Sequence, residues 1–598
     1  STAKATVPQI HTPWSTGDLT HRWCALEVEK CNPYEPRRID GTCNNLNHPT
    51  RGASHTPFLR VLPAFEPRLA KSGGPLPLAR RVRTSLLSEG RVPDHRFTML
   101  FTHFFVFMAA DIAALHDTVN YIMWIPYCCT ERGKTNPMCT PNVIPEDDPV
   151  HRFSGIRCLN MTRPISFQSS GCLPNNTTPE RINSATPVYD MSAMYGSSRN
   201  LSLQKGRLFE GGLLKFEMYG GKVWPPSTKT KANLCLLNQK HETRCHDTPE
   251  DGTNTLLGIN LFSIWFWRHH NLVATELSKL NPCWDDERLF YTARDINIAI
   301  ALQIYLYEML PDFLGAENMF LSGIISKSQG FRDSYNERVL PQVSLEYPYT
   351  LRWLHTMQEG NLKFYDEDGS FMKNFPMVNL TLRTGFLAVD NNLMYLTQGS
   401  FRQASGKQDY IVDPDIAELG LGPHQRASDI FTNDLAKSRY FGFPPYVKYR
   451  EHCFGRPVNS FEDLVGVIDQ ERIEKLQEVY ENVEDIDLLA GMWVERPMQG
   501  GYVPQTFYCL VVDQLARTMT SDRHWYERAS RPNAFTFGQL LQIRKASVAR
   551  LLCDVGDSVT KIQPKAFLRA SPGNDRCNCD QIPKIDFSEW TDFSCGRG

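Results

Sequence analysis

The stretch "FTMLFTHFFVFMAADIAALHD", Phe97 to Asp117, decides how the chain is read. Its apolar residues recur at helical spacing and predict a buried helix over 97–117. One carboxylate, Asp111, directly follows two alanines in that helix. A carboxylate among so many Phe, Met and Ala side chains is costly unless a cation or hydrogen-bond donors meet it. Asp111 is therefore expected to hold a partner, while the alanines before it offer no chemistry.

The same periodicity returns over 256–280, 286–311, 462–480, 505–520 and 537–553, and strand-like alternation is scarce. The chain reads as mainly α, a single large helical domain with long connections rich in Cys and Pro, notably 125–185 and 218–255. With 598 residues, 41% of them hydrophobic and 22% charged, it can bury a large core. A formal charge of -2 gives no electrostatic case for nucleic acid or an anionic membrane. The basic run "LARRVRTSLL" is expected to be a solvated helix face, and the acidic "EDIDLLAG" a solvated helix start. No run approaches eighteen uncharged apolar residues, so no membrane span is predicted. The opening "STAKATVPQI" lacks the apolar core of a signal peptide, and a processed, mature chain is expected.

Seventeen cysteines, most of them in polar, Pro-rich loops, predict disulfides and an oxidising compartment. Zinc-like spacing with His is missing. The odd count leaves at least one thiol free or bonded to another chain. Cys172 in "SSGCLPNNTTPE" and Cys283 in "NPCWDDE" are the candidates, and either would allow a disulfide-linked homodimer. Sequons begin at Asn160, Asn175, Asn176, Asn200 and Asn379. Together these features predict a secreted glycoprotein.

Four further segments carry a resemblance: "CNPYEPRRIDGTCNNLNHPTRGASHTPFLRVLP" from Cys31, "TPVYDMSAMYGSS" at 186–198, "RHHNLVATELSKLNPCWDDERLFYTAR" at 268–294 and "DRHWYE" at 522–527. In order and spacing they resemble the animal haem peroxidases. The resemblance implies a domain over about 24–580, with 1–23 as an N-terminal extension and 581–598 as a tail. It also implies a helical fold holding haem between distal and proximal helices, beside a structural calcium. For calcium it points to Asp111, Thr186, the carbonyl of Val188, Asp190 and Ser192, a hard-oxygen set suited to that ion. For haem b it points to "TLRWLHTMQ", with His355 at the place of the iron ligand and Arg352 at that of a propionate partner. Asp434 stands where the family's asparagine orients the proximal ring, and Leu354 where a glycine is usual.

The distal side departs from the family. Its pattern Gln-x-x-Asp-His-Asp reads here as "VFMAAD", so Val106, Ala109 and Ala110 replace the glutamine, the ester-forming aspartate and the catalytic histidine. Seven residues beyond Cys245, Gly252 stands in place of the catalytic arginine, and Thr255 in place of the second ester carboxylate. Peroxide cleavage needs a base that accepts and returns a proton, and positive charge for the departing oxygen. The sequence supplies neither. It therefore predicts a secreted, calcium-binding pseudoenzyme used for binding, structure or scaffolding. The alternatives are a haem carrier without ester bonds, or a haem peroxidase using hydrogen peroxide through a rebuilt distal pocket with His103, seven residues before Ala110. No serine triad, phosphate loop or HExxH helix offers a rival class.

Overall fold

The computed structural model describes residues 3–6, 25–66, 68–115, 128–173, 175–228, 235, 241–420 and 428–596. Eight elements position the site: strand β1 (Thr56–Pro57), helices α1 (Ala79–Leu86) and α2 (Met99–Ile112), strand β2 (Ile182–Asn183), and helices α3 (Leu257–Leu280), α4 (Asp286–Ile304), α5 (Ile430–Tyr440) and α6 (Gln505–Ser521). The architecture is mainly helical, as expected, and every described sheet has only two strands.

Helix α3 is the axis. Leu261, Phe262, Ile264, Trp265, Phe266 and Trp267 are all 0% exposed, so this half of the helix is apolar on every side and lies in the core. Helix α2 crosses it at a contact only glycine permits: a Cβ on Gly258 would sit 2.7 Å from the His103 carbonyl oxygen. Aromatic rings fill the crossing, with Phe104 tilted against Phe262 at 4.8 Å and Phe107 stacked on Phe266 at 5.7 Å between centroids. Helix α4 begins at Asp285, whose side chain accepts the Arg288 N–H at 2.7 Å. It runs on through wider turns to Leu321. Asp286–Leu321 is long and apolar enough to cross a bilayer, but 78% of its most apolar window is buried inside the domain, which makes it a core helix.

Three of the expected helices are shorter or divided. Helix α2 stops at Ile112, not 117, because Asn183 Nδ2 donates to the Ile112 carbonyl at 3.0 Å while its Oδ1 accepts the Ala114 N–H at 2.9 Å; residues 116–117 fall outside those described. The 462–480 stretch divides into a 3₁₀ turn, Phe461–Leu464, and a helix, Gln470–Val479. The 537–553 stretch breaks likewise, with Ser547 capping the helix Val548–Val555 through the Arg550 N–H.

Two charged runs are not solvated. In α1 the Arg80 and Arg83 side chains are 0% and 1% exposed, and only Arg81, at 48%, faces water. Arg80 reaches Asp148, Glu418 and Asp429 at 2.7, 2.7 and 2.6 Å. In "EDIDLLAG", Asp485 and Asp487 are buried, and Asp487 pairs with Arg439 at 2.7 Å. Buried guanidinium and carboxylate groups satisfy each other here, which local charge counting does not reveal.

Seven disulfides are described in full, as the cysteine usage predicted; Cys128–Cys139 and Cys129–Cys158 brace the first long connection. Both thiols expected to be unpaired are in fact bonded. Cys283 joins Cys595 across 312 residues, and Cys172 is also disulfide-bonded. Among the described residues the free cysteine is Cys577.

Candidate functional site

The fold brings four of the five residues of the expected cation site, Asp111, Thr186, Asp190 and Ser192, into one hydrogen-bonded cluster. The cap at Ile112 sets Asp111 against the loop 186–192, where its Oδ2 accepts the Met191 N–H at 2.9 Å and its Oδ1 the Ala193 N–H at 3.1 Å. Thr186 Oγ1 donates to Asp190 Oδ1 at 2.6 Å and lies 2.9 Å from Ser192 Oγ, which in turn donates to the Asp111 carbonyl at 3.1 Å. Val188 is buried in the same loop, and Met191 bends the chain with a φ of 59°. Asp111 and Asp190 are 1% and 0% exposed. Burial, then the charge of Asp190, pushes Asp111 up to about 8. Burial raises Asp190 too, against the pull of Arg294 and Arg37. Asp190 Oδ2 has no hydrogen-bond partner, and Arg294 Nη2 stands 3.7 Å away. Two buried carboxylates, one with an unmet oxygen, amid hydroxyls and carbonyls fit a hard divalent cation such as calcium.

Beyond this cluster the edge of α2 changes character. Val106, Ala109 and Ala110 form a half-buried stripe at helical spacing on an otherwise buried helix, and their side chains are all apolar. His103 starts the stripe but is 5% exposed, and burial holds it down to about 4, so it is neutral at physiological pH. Gly252 lies in the 3₁₀ turn Asp251–Asn254, where an added Cβ would meet nothing within 4 Å. Thr255 is buried and donates to the Gly252 carbonyl at 2.6 Å.

The three residues expected on the proximal side meet. His355 and Arg352 lie in the 3₁₀ turn Arg352–Met357, and Asp434 comes from α5. Arg352 Nη1 donates to Asp434 Oδ1, and His355 Nε2 lies 3.5 Å from Asp434 Oδ2. The orienting role given to Asp434 falls instead to Gln358, whose Oε1 accepts from His355 Nδ1 at 2.7 Å. Composition gave no hint of Gln358; its spacing three residues beyond His355 was the available signal. Burial lowers the His355 pKa, with Asp434 opposing. A neutral ring donating through Nδ1 keeps its Nε2 lone pair beside a carboxylate. Leu354 is 2% exposed. The family's manner of holding haem does not fit this set: Nε2 lies 3.5 Å from a carboxylate, and the same carboxylate engages Arg352.

Of the sequon residues, Asn175, Asn176 and Asn200 are exposed and Asn379 is half-buried. Asn160 is 2% exposed and its Oδ1 accepts the Cys128 N–H at 2.9 Å, so its amide is inaccessible in the folded chain.

The sequence profile described as animal haem peroxidase matches residues 36–567. The chain is 30% identical over 587 residues to a Peroxidase of Drosophila melanogaster, covering 95% of this chain and 84% of that one. It is 30% identical over 615 residues to the Peroxidasin homolog of Homo sapiens, covering 96% of this chain but only 40% of that longer protein. Among solved structures, peroxidase A from Dictyostelium discoideum superposes with a TM-score of 0.71 at 23% identity, covering 89% of this chain and 99% of that one. A fatty acid alpha-dioxygenase of Arabidopsis thaliana superposes with a TM-score of 0.67 at 17% identity, covering 90% and 84%. At these identities the superpositions speak for the fold alone.

Proposed function

The chain belongs to the animal haem peroxidase family, and we propose that it is a secreted, glycosylated, calcium-binding pseudoenzyme that has kept the scaffold and lost the reaction. The observation that carries this reading is the stripe on α2: Val106, Ala109 and Ala110 present only apolar side chains where proton transfer would be needed. Gly252 leaves the place of the arginine without a charge. Base and arginine act as one unit, so once one is lost the other contributes little to the reaction. The cation cluster, by contrast, ties α2 to the loop 186–192, and its value to stability does not depend on catalysis. The chain then serves as a binding, structural or scaffold protein for a protein or matrix partner, as a domain over about 24–580 or as a homodimer. Cys172 and Cys283 are already bonded within the chain, so neither links such a dimer.

Haem carriage is the second reading. It is favoured by the family and by the Gln358 bond that fixes the His355 ring. The absorption spectrum of the native protein, before and after hydrogen peroxide, separates the two. No Soret band supports the scaffold, and a Soret band indifferent to peroxide supports carriage. A band that shifts with peroxide, together with substrate oxidation, would overturn the pseudoenzyme reading.

A further inference from the structure

A cavity of about 320 Å³, open to solvent, lies at the end of the β1–β2 ladder. The Phe58 N–H donates to the Arg181 carbonyl at 3.0 Å and the Leu345 N–H to the Leu59 carbonyl at 2.8 Å, so three distant segments form its walls. Phe58, Leu59, Pro179 and Leu345 line it with apolar surface, and the exposed Thr178 and Glu180 add a hydroxyl and a carboxylate. A mostly apolar hollow with a few polar groups is the common form of a small-molecule site, and this volume, at the lower end of their range, suits one or two sugar rings.

The chain carries the attachment point for such a ring beside the cavity. In the sequon Asn176-Thr177-Thr178 the asparagine is exposed and the two threonines line the cavity. Consecutive Cα atoms are only about 3.8 Å apart, so a sugar on Asn176 Nδ2 starts within one residue of the cavity wall. The carrier loop is also held in place. Gln168, 4% exposed, donates through Nε2 to Thr177 Oγ1 at 3.0 Å and to the Thr178 carbonyl at 2.8 Å, while its Oε1 accepts the Glu180 N–H at 2.8 Å. One buried side chain thus pins 177–180, and the anchor of a docked sugar needs no further ordering. A free sugar would bind so open a hollow weakly. A tethered one is present at millimolar effective concentration or above, which favours the chain's own glycan as the occupant.

We propose that the first N-acetylglucosamine of an N-glycan on Asn176 folds back into this cavity, with its ring on Leu59, Pro179 and Leu345 and its hydroxyls on Thr178 and Glu180. The proposal rests on the reading of the chain as a secreted glycoprotein. The docked sugar covers apolar surface that the polypeptide alone leaves open to water, and it joins the loop 177–181 to the segments around Leu59 and Leu345.

The full-length protein, secreted from a eukaryotic host, tests this. Glycopeptide mass mapping is expected to find Asn176 occupied. If every sequon is bare, the glycoprotein reading fails together with the proposal; if Asn176 is bare while another sequon is occupied, the proposal fails alone. Under native conditions, peptide N-glycosidase F should release the Asn176 glycan about tenfold more slowly than the Asn200 glycan, because only the undocked fraction is open to attack. Leu59→Trp fills the hollow and should raise the release rate at Asn176 by about the same factor. If that variant does not fold, Glu180→Ala, at an exposed position, should raise it by about threefold, the worth of one modest hydrogen bond. Equal native rates at Asn176 and Asn200, or slow release at Asn176 that the folded variants leave unchanged, overturn the proposal.

Discussion

His355 Nε2 lies 3.5 Å from Asp434 Oδ2, and the other oxygen of the same carboxylate takes Arg352. One aspartate thus stands beside the nitrogen that would ligate iron and engages the arginine that would meet a propionate. Asp434→Ala removes both obstacles. Its affinity for added haemin, read from a Soret titration, is expected to rise by about tenfold, roughly the worth of one favourable hydrogen bond. A fall would show that the carboxylate helps to hold haem.

The apolar stripe on α2 makes a second expectation. Guaiacol oxidation with hydrogen peroxide should not exceed that of free haemin, even after haemin is added to the protein. Gly252→Arg is expected to leave the melting temperature nearly unchanged, within the roughly 0.5 kcal/mol typical of surface changes, because a Cβ there meets nothing within 4 Å. Unfolding of that variant would show that Gly252 has a structural role.

The cation cluster predicts dependence on calcium. Chelation should lower the melting temperature; with calcium a hundredfold above its Kd, the stabilisation lost is about 2.7 kcal/mol. Asp190→Asn removes the carboxylate whose Oδ2 lacks a partner. The variant should melt as the chelated protein does and ignore chelator. Chelator sensitivity equal to that of the unaltered protein would place the ion elsewhere.

The buried network behind α1 predicts a pH dependence. Burial, then a hydrogen bond to Glu418, pushes Glu89 up to about 7, while His151, Arg83 and Arg80 overcome burial and hold Glu418 down at about 2. A raised carboxyl stabilises the fold below its ordinary value of 4.5, and that contribution is lost as pH climbs through about 7. Glu89→Gln mimics the protonated form, so its melting temperature should decline less between pH 5 and 8 than that of the parent. The depressed Glu418 acts in the opposite sense, its contribution present above 4.5 and lost as pH falls toward 2. Matching Tm profiles for Glu89→Gln and the parent would remove Glu89 from the explanation. The network also reaches the proximal side, since Asp429, which pairs with Arg80, caps α5 through the Thr432 N–H at 2.9 Å.

Thiol chemistry offers a direct check. In the native protein Cys577 should take a maleimide label, because it is partly exposed and unbonded, and Cys283 should not. Replacing both Cys283 and Cys595 with Ser opens a link across 312 residues and is expected to cost up to roughly 6 kcal/mol in the chain-entropy model. Peptide mass mapping that finds Cys283 labelled would contradict the pairing.

How much was legible in advance follows from the range of each interaction. The sequence by itself determined the helical periodicity, the family frame and the positions at which cation ligands and a lost base and arginine are expected, because these are set by residue type at short, fixed spacings. Asp111 could be set beside the loop 186–192 only through the resemblance; in the fold its carboxylate accepts the Met191 and Ala193 N–H groups. Only the tertiary structure decided which carboxylate stands beside His355 Nε2, which cysteine is left over, that Arg80 and Arg83 are buried, and that the loop 177–181 lines a cavity with Leu59 and Leu345. Each of these depends on segments far apart in the chain being packed against one another. The energy of a charge or a thiol is set by what surrounds it in space, which its neighbours in sequence do not specify.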